Sequence, residues 1–191
     1  MRGREKFKKY RGILKLLTGF FNVFPRNVRE KLFEHYRRRG GSFGLAVRYA
    51  LLKTLAKSVG DNVSIFPDVF LYKVHNLSVG DNVSIQPLCY LDAGGGINIG
   101  SDVSIARNVS IIAFNHKFTD LSVPIKDQGV ERKEISIKDN VWIGVNSVLL
   151  AGVTVNSGCV IGAGSVVTHD IAENSIAAGV PAKEIKSRES L

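Results

Sequence analysis

The chain of 191 residues is poor in the side chains that most often announce chemistry, with two cysteines, four histidines and one tryptophan. Two cysteines cannot build a disulfide framework. Cys89 and Cys159, like Ser147 and Ser165, fall at the small position of the repeat described below, four residues after its aliphatic one, where a thiol reads as packing rather than as nucleophile or ligand. Such thiols suit a reducing cytoplasm. His35, His75, His116 and His169 are not spaced for a three-histidine zinc site, so no metal is expected. Long uncharged apolar runs are also missing. Residues 12–24 come nearest, but Lys15 interrupts them, they are too short to cross a bilayer, and no small-residue cleavage site follows.

Acidic residues are scarce in one part of the chain only. Residues 1–57 carry 16 Lys and Arg against three Asp and Glu, whereas residues 58–191 carry 10 against 14. The net charge of +9 therefore belongs to the N-terminal segment. Helices are predicted there over residues 6–17, 26–39 (after Pro25) and 43–57, the last with Leu45, Tyr49, Leu52 and Ala56 on one face. Such a segment would cap the open end of a solenoid. Its basic, Phe-rich stretch also suits adhesion to an anionic membrane surface, placing the protein in the cytoplasm or against the inner face of the membrane. No nucleic-acid motif accompanies the charge, so no nucleic-acid partner is expected.

What the chain does have is repetition. SVGDNVSI occupies residues 58–65 and, letter for letter, 78–85; NIGSDVSI follows at 98–105 and IKDNVWI at 137–143. Within these copies every sixth residue is aliphatic: Val59, Ile65 and Leu71; Val79, Ile85, Leu91 and Ile97; Ile99, Ile105 and Ile111. The last run, Ile137, Ile143, Leu149, Val155, Ile161 and Val167, never slips. A period of six fits neither a helix nor an isolated strand. It fits a chain that runs one short strand, turns a corner and repeats, three units closing a triangular coil. The predicted fold is an all-β solenoid, a parallel β-helix of about five coils, roughly 20–25 Å tall. Val59, Val79 and Ile99 are 20 residues apart rather than 18, which adds two residues at a corner of coils one and two. Gly60, Gly80, Gly100 and Gly144 are expected to supply turn chemistry between faces. The expected domains are a basic helical segment (1–57), the β-helix (58–180) and a C-terminal tail (181–191).

The period fails once, between Ile111 and Ile137, so the polar residues from about 117 to 134 must leave the prism as a loop. Loops leaving a rigid scaffold often carry function. Asn115 and His116 stand at its lip, expected at the last position of the third coil's third face. A lone histidine is usually a packing or surface residue; its place beside the extruded loop makes this one a candidate for chemistry. Asp92, in the irregular string LDAGGGIN, either holds a ligand or shapes a turn.

The hexapeptide run, the histidine before an extruded loop, VWIG at 141–144, the unbroken coils after it, GAGSVVT at 162–168, AAGVPA at 177–182 and the basic residue beyond form a specific set. In it the chain resembles the hexapeptide-repeat acyltransferases, in the branch of galactoside, maltose and capsular-sugar O-acetyltransferases, over residues 58–186. The resemblance implies a left-handed prism and a homotrimer with active clefts between subunits. It also implies acetyl-CoA as donor and a sugar or glycan hydroxyl as acceptor, in surface polysaccharide or glycolipid synthesis. His116 matches the general base, a task that suits imidazole near neutral pH. Gly144 and the Val145 amide match the oxyanion and thioester position. Trp142 matches the tryptophan lining the cleft, with Asp92, Asn115 and, loosely, Gln86 on the acceptor side. Ala163, 18 residues after Val145, matches a pantetheine contact; Thr168, His169, Pro181 and Lys183 match the nucleotide end, with His169 and Lys183 standing where the family often has Lys and Arg. Two other readings share the scaffold. One is an antibiotic O-acetyltransferase, whose His-Arg-Met-Asp string the loop lacks; the other is a non-catalytic trimeric prism, against which the intact His116 and VWIG argue.

Overall fold

A computed structural model describes residues 3–190, and in it the six-residue period becomes three parallel sheets. The first face stacks Ser58–Val59, Leu77–Val79, Ile97–Ile99, Ile135–Ile137 and Thr154–Val155. The second stacks Ser64–Ile65, Ser84–Ile85, Ser104–Ile105, Trp142–Ile143, Val160–Ile161 and Ser175–Gly179, and the third Phe70–Tyr72, Tyr90–Asp92, Ser110–Ile112, Val148–Leu149 and Val166–Val167. Five coils are complete, and Ile171, bridged to Val155, begins a sixth. The register stacks like on like: Ile65, Ile85, Ile105, Ile143 and Ile161 form one fully buried column. Each such side chain contributes about 1.5–3 kcal/mol relative to exposure. At the far end Ala182–Ser187 folds back antiparallel on Ser175–Gly179 and closes the second sheet.

The corner glycines serve a different purpose from the expected turn chemistry. The left-handed residues are two positions later, at Asn62, Asn82, Asp102 and Asn146, with φ of 55 to 61°. Gly60, Gly80, Gly100 and Gly144 are required by the stacking itself; a Cβ at Gly80 would lie 2.7 Å from the Gly100 carbonyl carbon. The coils touch backbone to backbone there. The extra residues all collect at one place, the third corner, where the third face passes to the first. A 3₁₀ turn Val74–Asn76 fills it in coil one, Gly94 to Gly96 in coil two, and the extruded loop in coil three.

Three helices cover the first coil: α1 Gly3–Asn22, α2 Arg26–Tyr36 and α3 Gly41–Leu55. α3 seals the end of the prism with Ala50, Leu51 and Leu52, none of which is exposed. α1 runs five residues beyond its expected end, past Gly19, because Phe21 is buried against the core and that packing outweighs the glycine's low helix propensity. α2 is shorter than expected. Its last carbonyls are capped by Arg48, which is wholly buried: Nη1 donates to Tyr36 O (2.8 Å) and Arg39 O (2.6 Å), while Nε donates to Ile65 O of the first coil (2.8 Å). Burial lowers the pKa of this guanidinium, partly offset by Asp68. Two arginine side chains of α1 reach the first corner. Arg4 pairs with Asp102 of coil three and Arg11 with Asp61 of coil one.

Candidate active site

The third corner presents the extruded segment as a built object. Phe114–His116 pairs antiparallel with Val130–Arg132, so that Asn115 faces Glu131 and His116 faces Val130. This corrects the placement of His116. The third face of coil three ends at Ile112, and the histidine stands on a separate two-stranded ribbon that has already left the prism. The ribbon can leave because Gly95 has no side chain; a Cβ there would strike the Ala113 carbonyl and Lys133 at the ribbon's base. Beyond the ribbon Gln128 fixes the loop on itself, its Nε2 donating to Asp120 O (2.8 Å) and Val123 O (2.7 Å). His116 is exposed, with the Phe114 ring edge-on at 6.4 Å, and among the described residues no side chain hydrogen-bonds its imidazole. Asp92 sits beside the ribbon's base in coil two. Its Oδ1 accepts from the Gly94 amide at 2.9 Å, so one oxygen shapes the turn, and among the described residues the other has no hydrogen-bond partner.

The second corner, where the second face passes to the third, carries the other group. Gly144 and Val145 in coil four lie directly beneath Gly162 and Ala163 in coil five. The contact is close enough that a Cβ on Gly144 would lie 2.6 Å from Ala163 N. Gly164 N donates to Val145 O at 2.8 Å, but among the described residues the amides of Val145 and Ala163 themselves have no acceptor. The matching positions in coils one and two are Pro67 and Pro87, which have no N–H to offer. In coil three the matching residue is Arg107, whose amide likewise has no acceptor among the described residues, so the edge offers donors from coil three upward. Two buried hydroxyls that sequence reasoning treated merely as small residues explain the orientation. Ser147 Oγ (3.0 Å) and Ser165 Oγ (2.6 Å) both donate to Gly162 O, which holds that carbonyl inward and so turns the Ala163 N–H outward. The available signal was polarity: the same inward position holds Val69, Cys89 and Val109 in the earlier coils.

The remaining candidates scatter. Trp142 projects from the second face in coil four, 54% exposed. Gln86 belongs to the second corner of coil two, so the fold does not bring it to Asp92 or His116 within one chain. Thr168 and His169 occupy the third corner of coil five, with Thr168 Oγ1 2.8 Å from His169 Nδ1. Pro181 and Lys183 lie exposed on the closing hairpin, Lys183 opposite Ala178. Cys89 and Cys159 are fully buried and free, and burial pushes the Cys89 thiol up to about 11. Neither is a nucleophile at neutral pH. Among the described residues no cluster of three or more His, Cys, Asp or Glu could hold a metal ion, and no helix is long and apolar enough to cross a membrane.

Comparison with known proteins gives a consistent picture. Residues 134–169 match the family model described as bacterial transferase hexapeptide (six repeats). The galactoside O-acetyltransferase of Escherichia coli is 34% identical over 144 residues, covering 73% of this chain and 68% of that protein. A maltose O-acetyltransferase from Clostridium difficile superposes with a TM-score of 0.76 at 31% identity, covering 87% of each chain. A hexapeptide-repeat acetyltransferase from Vibrio cholerae, complexed with acetyl coenzyme A, superposes with a TM-score of 0.76 at 27% identity, covering 85% of this chain and 86% of that one. The chain spans 26% and 39% of the lengths of the first curated relatives it matches.

Proposed function

The chain belongs to the hexapeptide-repeat acetyltransferases, and from that premise we propose that it moves an acetyl group from acetyl-CoA to a sugar hydroxyl. The acceptor is a surface polysaccharide or glycolipid under construction. The observation that carries this reading is the pair of outward amides, Val145 and Ala163, stacked one coil apart on the corner that follows Trp142. Stacked donors suit an extended pantetheine arm lying along the prism edge, with the thioester at Val145 and the nucleotide toward Pro181 and Lys183, and toward Thr168 and His169 from the third corner of a neighbouring subunit. The Vibrio cholerae relative complexed with acetyl coenzyme A supports the donor.

His116 and these amides occupy different corners of one chain, and a cyclic trimer resolves the separation. Its interface is head-to-tail, so the third corner of one subunit meets the second corner of the next. The ribbon loop also exposes Phe118, Leu121 and Ile125, an apolar tip that such a neighbour would cover. In that cleft His116 takes the proton from the acceptor hydroxyl as its oxygen attacks the thioester carbonyl. The Val145 N–H stabilises the tetrahedral oxyanion. Collapse breaks the carbon–sulfur bond, and the imidazolium returns its proton to the departing thiolate, leaving the O-acetyl sugar and free coenzyme A. Asp92 and Asn115 hold the acceptor's other hydroxyls, and Trp142 walls the site.

The test is thiol release from acetyl-CoA against a panel of free sugars, lipid-linked glycans and hydroxylated antibiotics. His116→Ala should lower turnover about 10²–10⁴-fold on the accepted substrate. Wild-type turnover in that variant would remove the general-base role, and acetylation of antibiotics alone would remove the glycan assignment.

A further inference from the structure

The N-terminal helix has two apolar faces, and the prism uses only one. Phe7, Leu14, Leu17 and Phe21 turn toward the core. A second side, about 110° around the helix, carries Ile13 (62% exposed), Leu16 (78%) and Phe20 (57%) at helical spacing, continued by Val23 (82%) just past the helix end. Phe20 is not a loose ring, since it packs edge-on against Phe21 and Phe24 at 5.5 and 5.3 Å. At its N-terminal end the stripe adjoins a groove of about 370 Å³ between α1 and α3, whose rim includes Lys6, Tyr10, Ile13 and Phe43. The charges of the same helix divide in two. Arg4 and Arg11 are taken by Asp102 and Asp61 of the prism, while Lys6, Lys8, Lys9 and Lys15 stand exposed beside the apolar stripe. Two arginines thus hold the helix to the prism, and the lysines and large apolar side chains face away from it.

We infer that this outer face of α1 docks the protein onto an anionic lipid bilayer. Charge complementarity selects the occupant: an apolar stripe flanked by lysines fits the boundary between acidic headgroups and acyl chains. The groove beside Ile13 and Phe43 gives room for an acyl chain at the edge of the contact. The inference stands apart from acetyl transfer, because it needs neither donor nor acceptor. If the acceptor is a lipid-linked glycan, docking would also bring the cleft to its substrate.

Flotation of the full-length protein with phosphatidylcholine vesicles, with and without phosphatidylglycerol, is the direct test. Deleting the helices is unsuitable because α3 seals the core; surface substitutions avoid that. Wild-type protein should float with the anionic vesicles and stay behind with the neutral ones. Leu16→Glu or Phe20→Glu should each lower partitioning by about tenfold or more, and each of Lys6, Lys8, Lys9 and Lys15 changed to Gln by about fivefold. Thermal melting and oligomeric mass of the variants should match wild type. Failure of the wild-type protein to float at low ionic strength overturns the inference, and so does undiminished binding by both Glu variants. A fall in oligomeric mass in Leu16→Glu or Phe20→Glu, without vesicle binding by wild type, assigns the stripe to a second copy of the chain instead.

Discussion

Replacing Gly144 by alanine probes the closest approach in the site. The added carbon would lie 2.6 Å from Ala163 N, 2.7 Å from Ile161 O and 2.9 Å from the Gly162 carbonyl carbon, all backbone atoms of the coil above. Unstrained contacts between such atoms are about 3.5 Å or more, so the two coils must part by roughly 0.5–1 Å at this corner. The bonds from Gly144 N to Ile161 O and from Gly164 N to Val145 O, both 2.8 Å, flank the site and resist that movement. Overpacking of this kind costs about 1–3 kcal/mol. For a protein of this size that is a fall in Tm of about 2–12 °C at fixed protein concentration. Turnover should fall further than stability alone accounts for, because the displaced peptide carries the Val145 donor; loss of one such donor costs about 10²–10³-fold. Gly164→Ala is the control. Nothing lies within 4 Å of its Cβ position, and its strain comes only from a φ of +70°, worth about 1–2 kcal/mol. It should lower Tm by about 2–8 °C and leave turnover within a few fold. Steady-state thiol-release kinetics and circular-dichroism melting read both variants. Wild-type turnover in Gly144→Ala, or greater damage from Gly164→Ala, would refute the reasoning.

Three further outcomes follow from the same geometry. Changing Ser147 and Ser165 together to alanine releases the Gly162 carbonyl; at about 0.5–1.5 kcal/mol per bond, the KM for acetyl-CoA should rise several-fold or more, and an unchanged KM would remove the orienting role. Subunits carrying His116→Ala, mixed equally with subunits carrying Gly144→Ala, should regain about a quarter of wild-type turnover if each site takes one residue from each neighbour; no recovery at all would place the site within one chain. Cys89 has its pKa raised by burial from 9.0 to about 11, so the unfolded chain loses this proton first as pH rises. Its contribution is complete below pH 9 and lost by about pH 11, on the order of 3 kcal/mol; urea denaturation across that range should show the decline, and Cys89→Ala should reduce it, leaving the part due to the buried Cys159 and Tyr49 and the half-buried Tyr90.

The parts legible in the sequence were those that repeat. Buried aliphatic columns such as Ile65 to Ile161 demand the same residue class every coil, so the period declared the faces, the number of coils and the site of the break. Residues whose role depends on a single contact left no such trace. The ribbon was hidden because Asn115, His116 and Glu131 are exposed, and a short two-sided polar strand has no alternation to read. Gly60, Gly80 and Gly144 were visible, but their reason was not: the nearness of the next coil is a property of the stack rather than of the turn. Arg48 looked like one more positive charge in a basic segment. Only the fold shows the carbonyls of Tyr36, Arg39 and Ile65 converging on it. Ser147 and Ser165 satisfied the requirement for small residues so well that their hydroxyls were overlooked.

All the changes in coil length gather at the third corner, and this has a consequence for how such a protein can vary. Each coil returns to the same lateral position before the next begins, so residues added at that corner leave the register of the other two undisturbed. In the proposed trimer one subunit's acceptor-side corner faces another's donor-side corner. A lineage of these prisms can therefore remodel what it acetylates by lengthening or trimming one edge, while the opposite edge, with its stacked amides, is inherited unchanged.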